Sequence, residues 1–564
     1  MKKNRIPFIM ICGLWLATSC MDLDLAPLSM ATNENWYANE TQVEMSVNDL
    51  FRVNVWNTVN EQWTDDECRR TEISPFALGS INGQTSEVTS MWDNCYRVIG
   101  RDNAVIDKLK VMPDGFMSDT KRDQYLGEAL FARACMYSRL ITLFGDVPYS
   151  DTTIDIKTAF SMGRTPKSDV LQKIYTDFDD AIRMLPVSSG AVQRPTRGAA
   201  LGMKARIALC NEDWDTAIEC AKACMDLHVY ELYPNFEELF QQNTHNTVES
   251  VFSIPRSITY NVATNSWRDW LPRNNTGYAA NGPTWDLLAA FLCTDGLPID
   301  ESSLFDPHKP FENRDPRCAA TIVAFGSTWL GIEYDPNPVT GDMVMDYTNG
   351  KEIKNNDNKN NAEYASFNAL LRKKGFDESC LKNGYKTEHD LIIMRYADVL
   401  LMYAEAMIEK GTIDQSVLDA MNQVRARAYG VDKAATDKYP AITTTDQAKL
   451  RTILRTERRM EFAFENLRYF DLIRWRLCGK VFNLKNYGIY QNKEANMENL
   501  TTPGNWFWGI APDIDENGCA DFSSLEAYGI NSLAQRTWDD RQYLWPIPTT
   551  EIQINENMKP NPGY

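Results

Sequence analysis

Apolar residues recur every three or four positions along much of the chain, which is the spacing of amphipathic helices. The segments with this pattern are Asp123 to Phe144, Ser168 to Leu185, Arg197 to Cys210, Trp214 to Leu227, Tyr396 to Lys410 and Gln415 to Tyr429. Gly145 and Pro186 follow the first two and predict where those helices end. Short polar turns join the third to the fourth and the fifth to the sixth, so these segments predict two helix pairs.

Each pair resembles a tetratricopeptide unit, a helix–turn–helix of about 34 residues. Small residues such as Ala205, Ala217 and Ala404 stand where the helices of such a unit cross. Long insertions interrupt the repeats. The pattern therefore predicts a mainly α fold, with tetratricopeptide-like helical repeats and long inserted loops.

Two regions interrupt the helical pattern. Residues 55–92 are rich in Thr, Ser, Asn and aromatic residues, and residues 254–390 are rich in Pro, Gly and Asn. Loops of this length inside a compact domain are usually functional or disordered. Their aromatic content favours a functional role.

The N-terminus has the pattern of an export signal. Lys2, Lys3 and Arg5 precede about 12 mostly apolar residues, a run too short for the ~20 residues of a membrane-spanning helix. Small residues lead directly to Cys20, which predicts a signal peptide over residues 1–19 and lipidation of Cys20. Ala17 departs from the usual leucine three residues before the cysteine, so an ordinary secretory signal remains the alternative.

The charge balance limits the classes of partner. The formal net charge is −19, and removal of the three N-terminal cations brings it to −22 (−19 − 3). Such a chain repels phosphate backbones, so we expect no nucleic-acid partner. The same field disfavours polyanionic ligands unless a local basic loop outweighs it.

The 13 cysteines do not form a disulfide or metal pattern. Without Cys12 and Cys20 an odd number remains, scattered through helical segments, and cysteine there acts as a small buried hydrophobe. Cys220, Cys224 and His228 share a helical spacing but lack a fourth ligand, so we expect core packing. A partial calcium pattern at 513–518 lacks its final glutamate, and we expect neither a metal nor a cofactor.

Short sequence blocks occur in a set order over nearly the whole chain. They are Met21–Pro27, Leu143–Pro148, Arg164–Pro166, Asn313–Arg317, Arg395–Asp398, Asn422–Arg427, Arg468–Trp475 and Trp545–Pro548. In these blocks and their order, the chain resembles the SusD/RagB family, the surface glycan-binding lipoproteins of Bacteroidetes.

The resemblance implies a SusD-like α-helical domain over residues 20–564. It comprises a lipidated tether at 20–35, an N-terminal part at about 36–330 and a C-terminal RagB/SusD part at about 331–564. It also implies a protein that is lipid-anchored to the outer membrane and faces outward. Such a protein binds a glycan and delivers it to a SusC-like TonB-dependent transporter without catalysis. A structural lid or adhesion subunit, or a lipid-anchored glycosidase, are the alternatives.

Neutral sugars bind to aromatic platforms edged by side chains that form hydrogen bonds. The segment 266–278 supplies Trp267, Trp270, Arg273, Asn274 and Tyr278, and in family members the ligand loops lie near this position. The alternative is that this loop buries its own aromatic rings.

A second loop of the family site follows the segment Trp63–Cys68, and it places Arg70 and Glu72 as further candidates. The starch-binding archetype has tryptophans in this loop, so the departure argues against a starch specificity.

Catalysis has little support in the sequence. Carboxylate pairs such as Asp65 and Asp66 are common in a chain with 77 acidic residues, and there is no nucleophile elbow. A further set of charges at helical spacing predicts ion pairs between neighbouring helices: Glu457, Arg458, Arg459, Arg468, Asp471 and Arg474.

Overall fold

The computed structural model describes residues 36–57, 59–70, 72–190, 193–263, 267–338, 340–489, 511–528 and 530–564. Cys20, the signal peptide, the tether and Ser266 lie outside these residues. The described part is mainly helical. Its α-helices are α1 (Glu40–Asp49), α2 (Val53–Trp56), α3 (Ser86–Lys110), α4 (Asp119–Phe144), α5 (Ile156–Ala159), α6 (Lys167–Met184), α7 (Arg197–Cys210), α8 (Trp214–Met225), α9 (Trp285–Ala290), α10 (Arg317–Thr321), α11 (Ser379–Lys382), α12 (Tyr396–Lys410), α13 (Gln415–Ala428), α14 (Gln447–Phe462), α15 (Arg468–Arg474), α16 (Cys478–Val481) and α17 (Thr549–Ile554).

The six predicted helices are confirmed as α4, α6, α7, α8, α12 and α13, and α7 and α12 have the predicted ends. α4 begins four residues earlier than predicted, at Asp119, because the Ser118 hydroxyl accepts a hydrogen bond from Lys121 N and caps the helix. α8 ends at Met225, so His228 lies beyond the helix, exposed and with a left-handed backbone. Cys220 and Cys224 are buried, as expected for core residues.

The mainly α, tetratricopeptide-like fold class is confirmed. Helices α6, α7, α8, α12 and α13 pack in succession, and α12 also contacts α14. Ala205, Ala217 and Ala404 are fully buried in the main core. Small side chains at these crossings let the helix axes approach closely.

Short strands occupy parts of the regions that interrupt the helical pattern. The strands are β1 (Glu67–Arg69), β2 (Ser250–Ile254), β3 (Asn281–Pro283), β4 (Ser327–Trp329), β5 (Ile332–Tyr334), β6 (Met343–Asp346), β7 (Lys351–Lys354), β8 (Leu391–Arg395), β9 (Lys485–Gly488), β10 (Asp513–Ile514), β11 (Ala520–Asp521) and β12 (Asn531–Gln535). β4 to β7 form a four-stranded antiparallel meander, which the sequence pattern did not indicate. β1 pairs with β3, and β2 with β8.

The predicted ion pairs between helices are confirmed for Glu457, Arg458, Asp471 and Arg474, whereas Arg459 and Arg468 pair with the acidic segment before β1. Arg458 bridges Asp398 of α12 and Asp471 of α15 at N–O distances of 2.8 and 3.0 Å. Arg425 of α13 contacts Glu457 at 2.7 Å. These groups are buried, so each charge depends on its partner for solvation.

Eleven cysteines fall within the described residues; all are unpaired and ten are buried. In the same part of the chain, no helix is both long and apolar enough to span a bilayer.

Candidate functional site

Strand pairing brings the two predicted loops together. β1 runs antiparallel to β3, with Arg69 opposite Asn281, and the next residue, Arg70, donates from its backbone N to Ala280 O at 3.0 Å. Residues more than 200 positions apart in sequence are thereby placed side by side.

Arg70 lies at the centre of an exposed aromatic surface. Its Nη2 donates to Tyr278 O at 2.9 Å, and its guanidinium lies over the Tyr364 ring, 4.9 Å from the centroid. Arg268 lies over the Tyr278 ring at 4.5 Å. Tyr278 and Tyr364 remain 40% and 49% exposed. We call Arg70, Arg268, Tyr278 and Tyr364 the Arg70 surface.

The backbone around this surface is strained. Arg70, Thr276 and Ala279 have φ angles of 39°, 61° and 45°, in the left-handed region that costs non-glycine residues energy. Gly277 closes the turn, since a Cβ there would lie 2.2 Å from Leu271 O. Such strain persists where tertiary contacts determine the backbone, and it is frequent at ligand sites.

Trp267 and Trp270 are half-buried. Their rings meet edge to face at a centroid distance of 4.8 Å. Trp267 Nε1 donates to Thr387 Oγ1 at 2.9 Å, and Trp270 Nε1 donates to Glu67 Oε2 at 3.2 Å. These contacts fix both rings against a small hydrophobic cluster that lies next to the Arg70 surface.

Arg273 and Asn274 are held by a buried carboxylate. Asp357 accepts their two backbone N–H groups at 2.7 and 3.1 Å. The Asn274 side chain donates to Asn355 Oδ1 at 2.9 Å, within the polar run that follows β7. The Asn274 amide therefore stabilises the loop. Among the described residues, the Arg273 guanidinium donates to Gly277 O alone, at 3.1 Å.

Glu72 is exposed, and its carboxylate lies 3.3 Å from Arg69 Nε. Sequence reasoning did not single out Tyr364, which shares the Arg70 surface. In the sequence, Tyr364 could be identified as a candidate only by its position, as an aromatic residue just after the Asn-rich run 355–361.

The acidic segment beside β1 is structural. Asp65 lies 2.8 Å from Arg468 and 2.9 Å from Arg459, and Asp66 lies 2.8 Å from Arg459. Burial alone would raise the pKa of Asp65, but the two arginines hold it below its usual range. These carboxylates are buried in ion pairs and do not face solvent.

Glu61 provides a pH-dependent test of this buried region. Burial, and then the nearby Asp66 and Glu67, raise its pKa to about 8. Its folded-state pKa thus exceeds the unfolded value near 4.5, so stability falls as pH rises between these values, by up to about 1.4 kcal/mol per pH unit. Glu61→Gln keeps an acceptor for Phe464 N, and we expect it to gain stability over wild type from pH 5 to 8.5. Chemical denaturation at both pH values measures this. If the variant and wild type differed in stability by the same amount at pH 5 and at pH 8.5, the raised pKa of Glu61 would be contradicted.

Among the described residues, no cluster of three or more His, Cys, Asp or Glu side chains could hold a metal. At the partial calcium pattern, Lys480 Nζ contacts Asp515. The lysine thus supplies the positive charge at that turn.

Comparisons with known proteins match this architecture. A crystallised SusD-like carbohydrate binding protein from Bacteroides fragilis is 25% identical with a TM-score of 0.74, over 92% of this chain and 99% of that chain. The surface glycan-binding protein A from Bacteroides fluxus is 18% identical with a TM-score of 0.61, over 93% of this chain and 100% of that chain. SusD-like protein P2 of Formosa agariphila is 24% identical, with both chains covered completely.

Two family models match the chain. The model described as starch-binding, associating with the outer membrane, matches residues 21–209. The model described as the SusD family matches residues 237–564. The boundary predicted near residue 330 stays a prediction. Because the second match covers more than half of the sequence, the chain belongs to the SusD family.

Proposed function

We propose that the protein binds a glycan at the cell surface through the Arg70 surface and does not cleave it. The observation that carries this proposal is the pair of exposed rings, Tyr278 and Tyr364, linked by Arg70, which lies over the Tyr364 ring and donates to the Tyr278 carbonyl. Aromatic faces stack on the C–H faces of sugar rings, and the arginine donates hydrogen bonds to hydroxyl groups. Trp267 and Trp270 would support this surface from one side, with Arg273 at its edge.

The relatives support the class of ligand. The Bacteroides fragilis protein is named for carbohydrate binding and the Bacteroides fluxus protein for surface glycan binding. The absence of cleavage is supported by the acidic segment, since Asp65 and Asp66 are used in buried ion pairs and Glu67 accepts from Trp270.

A glycan screen of the mature protein tests the proposal. Affinity electrophoresis against neutral and acidic polysaccharides should show retardation by at least one of them. The bound polysaccharide should release no reducing ends on long incubation. Binding to none would favour the lid or adhesion alternative, and release of reducing ends would make the protein a glycosidase.

The lipid anchor and the transporter partner belong to the same proposal. Cys20→Ala should move the protein from the membrane to the soluble fraction, because the acyl chains supply its membrane affinity. A lid over a SusC-like transporter needs a broad interface, ~2,000 Å² or more. The tagged wild-type protein should therefore copurify in mild detergent with a large TonB-dependent barrel. Unchanged fractionation of the variant, or recovery of the wild type alone, would count against these two parts.

A further inference from the structure

The arginines at and beside the Arg70 surface donate to backbone carbonyls and lie next to exposed tyrosine rings. Several buried arginines elsewhere have carboxylate partners; Arg317, for example, contacts Asp315, Glu457 and Glu461, each at 2.8 Å. Arg314 is also buried, but it donates instead to the carbonyls of Pro310, Leu288 and Phe291. Within the described residues, Arg70, Arg268 and Arg273 have no carboxylate oxygen within 4 Å. Their N–H donors go to backbone carbonyls: Arg70 to Tyr278 O, Arg268 to Thr276 O and Arg273 to Gly277 O.

Positive charge is concentrated here. Burial lowers the pKa of Arg70, and the nearby charges of Arg273 and Arg69 lower it further. Burial also lowers the pKa of Lys359, to about 7, and the charge of Arg70 contributes to this shift. Lys359 Nζ lies 4.0 Å from the centroid of the Phe367 ring, on which Arg70 also packs at 5.8 Å. Two basic side chains therefore lie against one aromatic ring beside the exposed tyrosines.

The neighbouring acids offset this charge only in part: Asp269 affects the pKa of Arg70 less than Arg273 or Arg69 does, and Asp357 is near enough to Arg273 for that charge to oppose the rise in its pKa. Glu72 and Asp269 lie 3.3 and 3.9 Å from Arg69. Asp357 is buried against backbone N–H groups, and burial raises its pKa to about 6. Glu363, whose charge raises the pKa of Lys359, is exposed to solvent. In a chain with a net charge of −19, a group of arginines with no carboxylate oxygen within 4 Å in the described part of the chain is a local exception to the global field.

We infer that the glycan taken by the Arg70 surface is acidic, with carboxylate or sulfate groups held by Arg70 and Arg273. This inference rests on the proposed function. No hydrogen bond within the described residues involves Arg70 Nη1 or Arg273 Nη2, so each arginine keeps a donor for a ligand. Guanidinium groups hold carboxylate and sulfate oxygens by charge-assisted hydrogen bonds, while the tyrosine rings stack on the sugar. The charges of Arg70 and Arg273 favour an acidic glycan more than they exclude a neutral one. Glycans that differ only in charge therefore decide between the two.

The test uses the mature protein and glycans that differ only in charge. Polygalacturonate is compared with its fully methyl-esterified form, and heparin with desulfated, re-N-acetylated heparin, with laminarin as a neutral polymer. These pairs distinguish carboxylate from sulfate. We expect at least one charged member to bind at least tenfold more tightly than its neutral counterpart, and this preference should decline as salt rises from 50 to 500 mM.

Variants locate the anion site. Arg70→Gln and Arg273→Gln should each weaken binding of the charged glycan about tenfold, and the double variant about a hundredfold. Lys222→Gln removes one exposed charge of α8, which is paired with Asp226, and should leave the affinity unchanged. Thermal melting checks that each variant is folded.

Three outcomes would overturn the inference. Equal or tighter binding of the neutral forms would reject the acidic specificity while the proposed function stands. Strong binding of an acidic glycan that the double variant retains would place the anion site elsewhere. Binding of no glycan in the panel, charged or neutral, would reject both this inference and the proposed function.

Discussion

Arg395→Met is expected to destabilise the protein by about 3–5 kcal/mol, the largest effect of any substitution proposed here. Arg395 is 1% exposed and is the last residue of β8, directly before α12. Its guanidinium contacts Glu249 at 2.7 Å, Glu461 at 2.6 Å and Glu465 at 2.7 Å. Methionine fills part of the same volume but leaves these carboxylates with less positive charge. Equilibrium unfolding in denaturant, followed by circular dichroism, measures the loss.

A matched control separates this effect from any loss of an arginine. Arg183→Met removes an exposed ion pair with Asp180 one turn away on α6, which should cost at most about 1 kcal/mol. Similar losses in the two variants would contradict the view that burial makes the Arg395 contacts essential.

The same cluster predicts a dependence on acid. Burial alone would raise the pKa of Glu461, but Arg427, Arg395 and Arg317 hold it well below its usual range. A folded-state pKa below the unfolded value means that this stabilisation is present above about pH 4.5 and is lost as pH falls. Arg395→Met should therefore show less loss of stability in acid than wild type.

Tyr278→Ala and Tyr364→Ala should each weaken glycan binding about 30-fold, which corresponds to ~2 kcal/mol for one stacking contact at a binding hot spot. Both rings are exposed, so their removal leaves the hydrophobic clusters intact and the circular dichroism spectrum native. Isothermal titration with the glycan found in the screen measures the affinities.

The control is Phe160→Ala, an exposed aromatic residue next to α5 and outside the Arg70 surface. This variant should bind like wild type. Native affinity in both tyrosine variants would show that the glycan does not bind at the Arg70 surface.

Trp267→Ala should lower stability as well as affinity. The Trp267 ring packs edge to face on Trp270 and on Phe376, with its centroid 5.1 Å from that of Phe376.

Much of the helical scaffold could be predicted because its signals are local. The 3.6-residue period of apolar positions placed α7 and α12 at their observed ends, and errors elsewhere came from caps such as Ser118, whose hydrogen bond lies outside the periodic segment. The role of Glu457 and Arg458 in ion pairs followed in the same way, from charges at helical spacing on buried helices. The meander β4–β7 was missed, since three- and four-residue strands carry too short a pattern.

The candidate site shows where sequence reasoning ends. It selected the loops that hold Arg70 and Tyr278, but it ranked Trp267 and Trp270 as platforms, and the fold half-buries both rings. It did not identify Tyr364, which reaches the same surface from a third segment.

By itself, then, the sequence determined the helical scaffold and the likeness to the SusD family, because each is written in neighbouring residues or in their order, and the signal peptide over residues 1–19 stays a prediction. The tertiary structure alone decided which aromatic rings face solvent and which arginines lack acidic partners. Those properties depend on the pairing of β1 with β3 and on the path of long loops, and contacts between residues far apart in the chain leave no periodic trace in it.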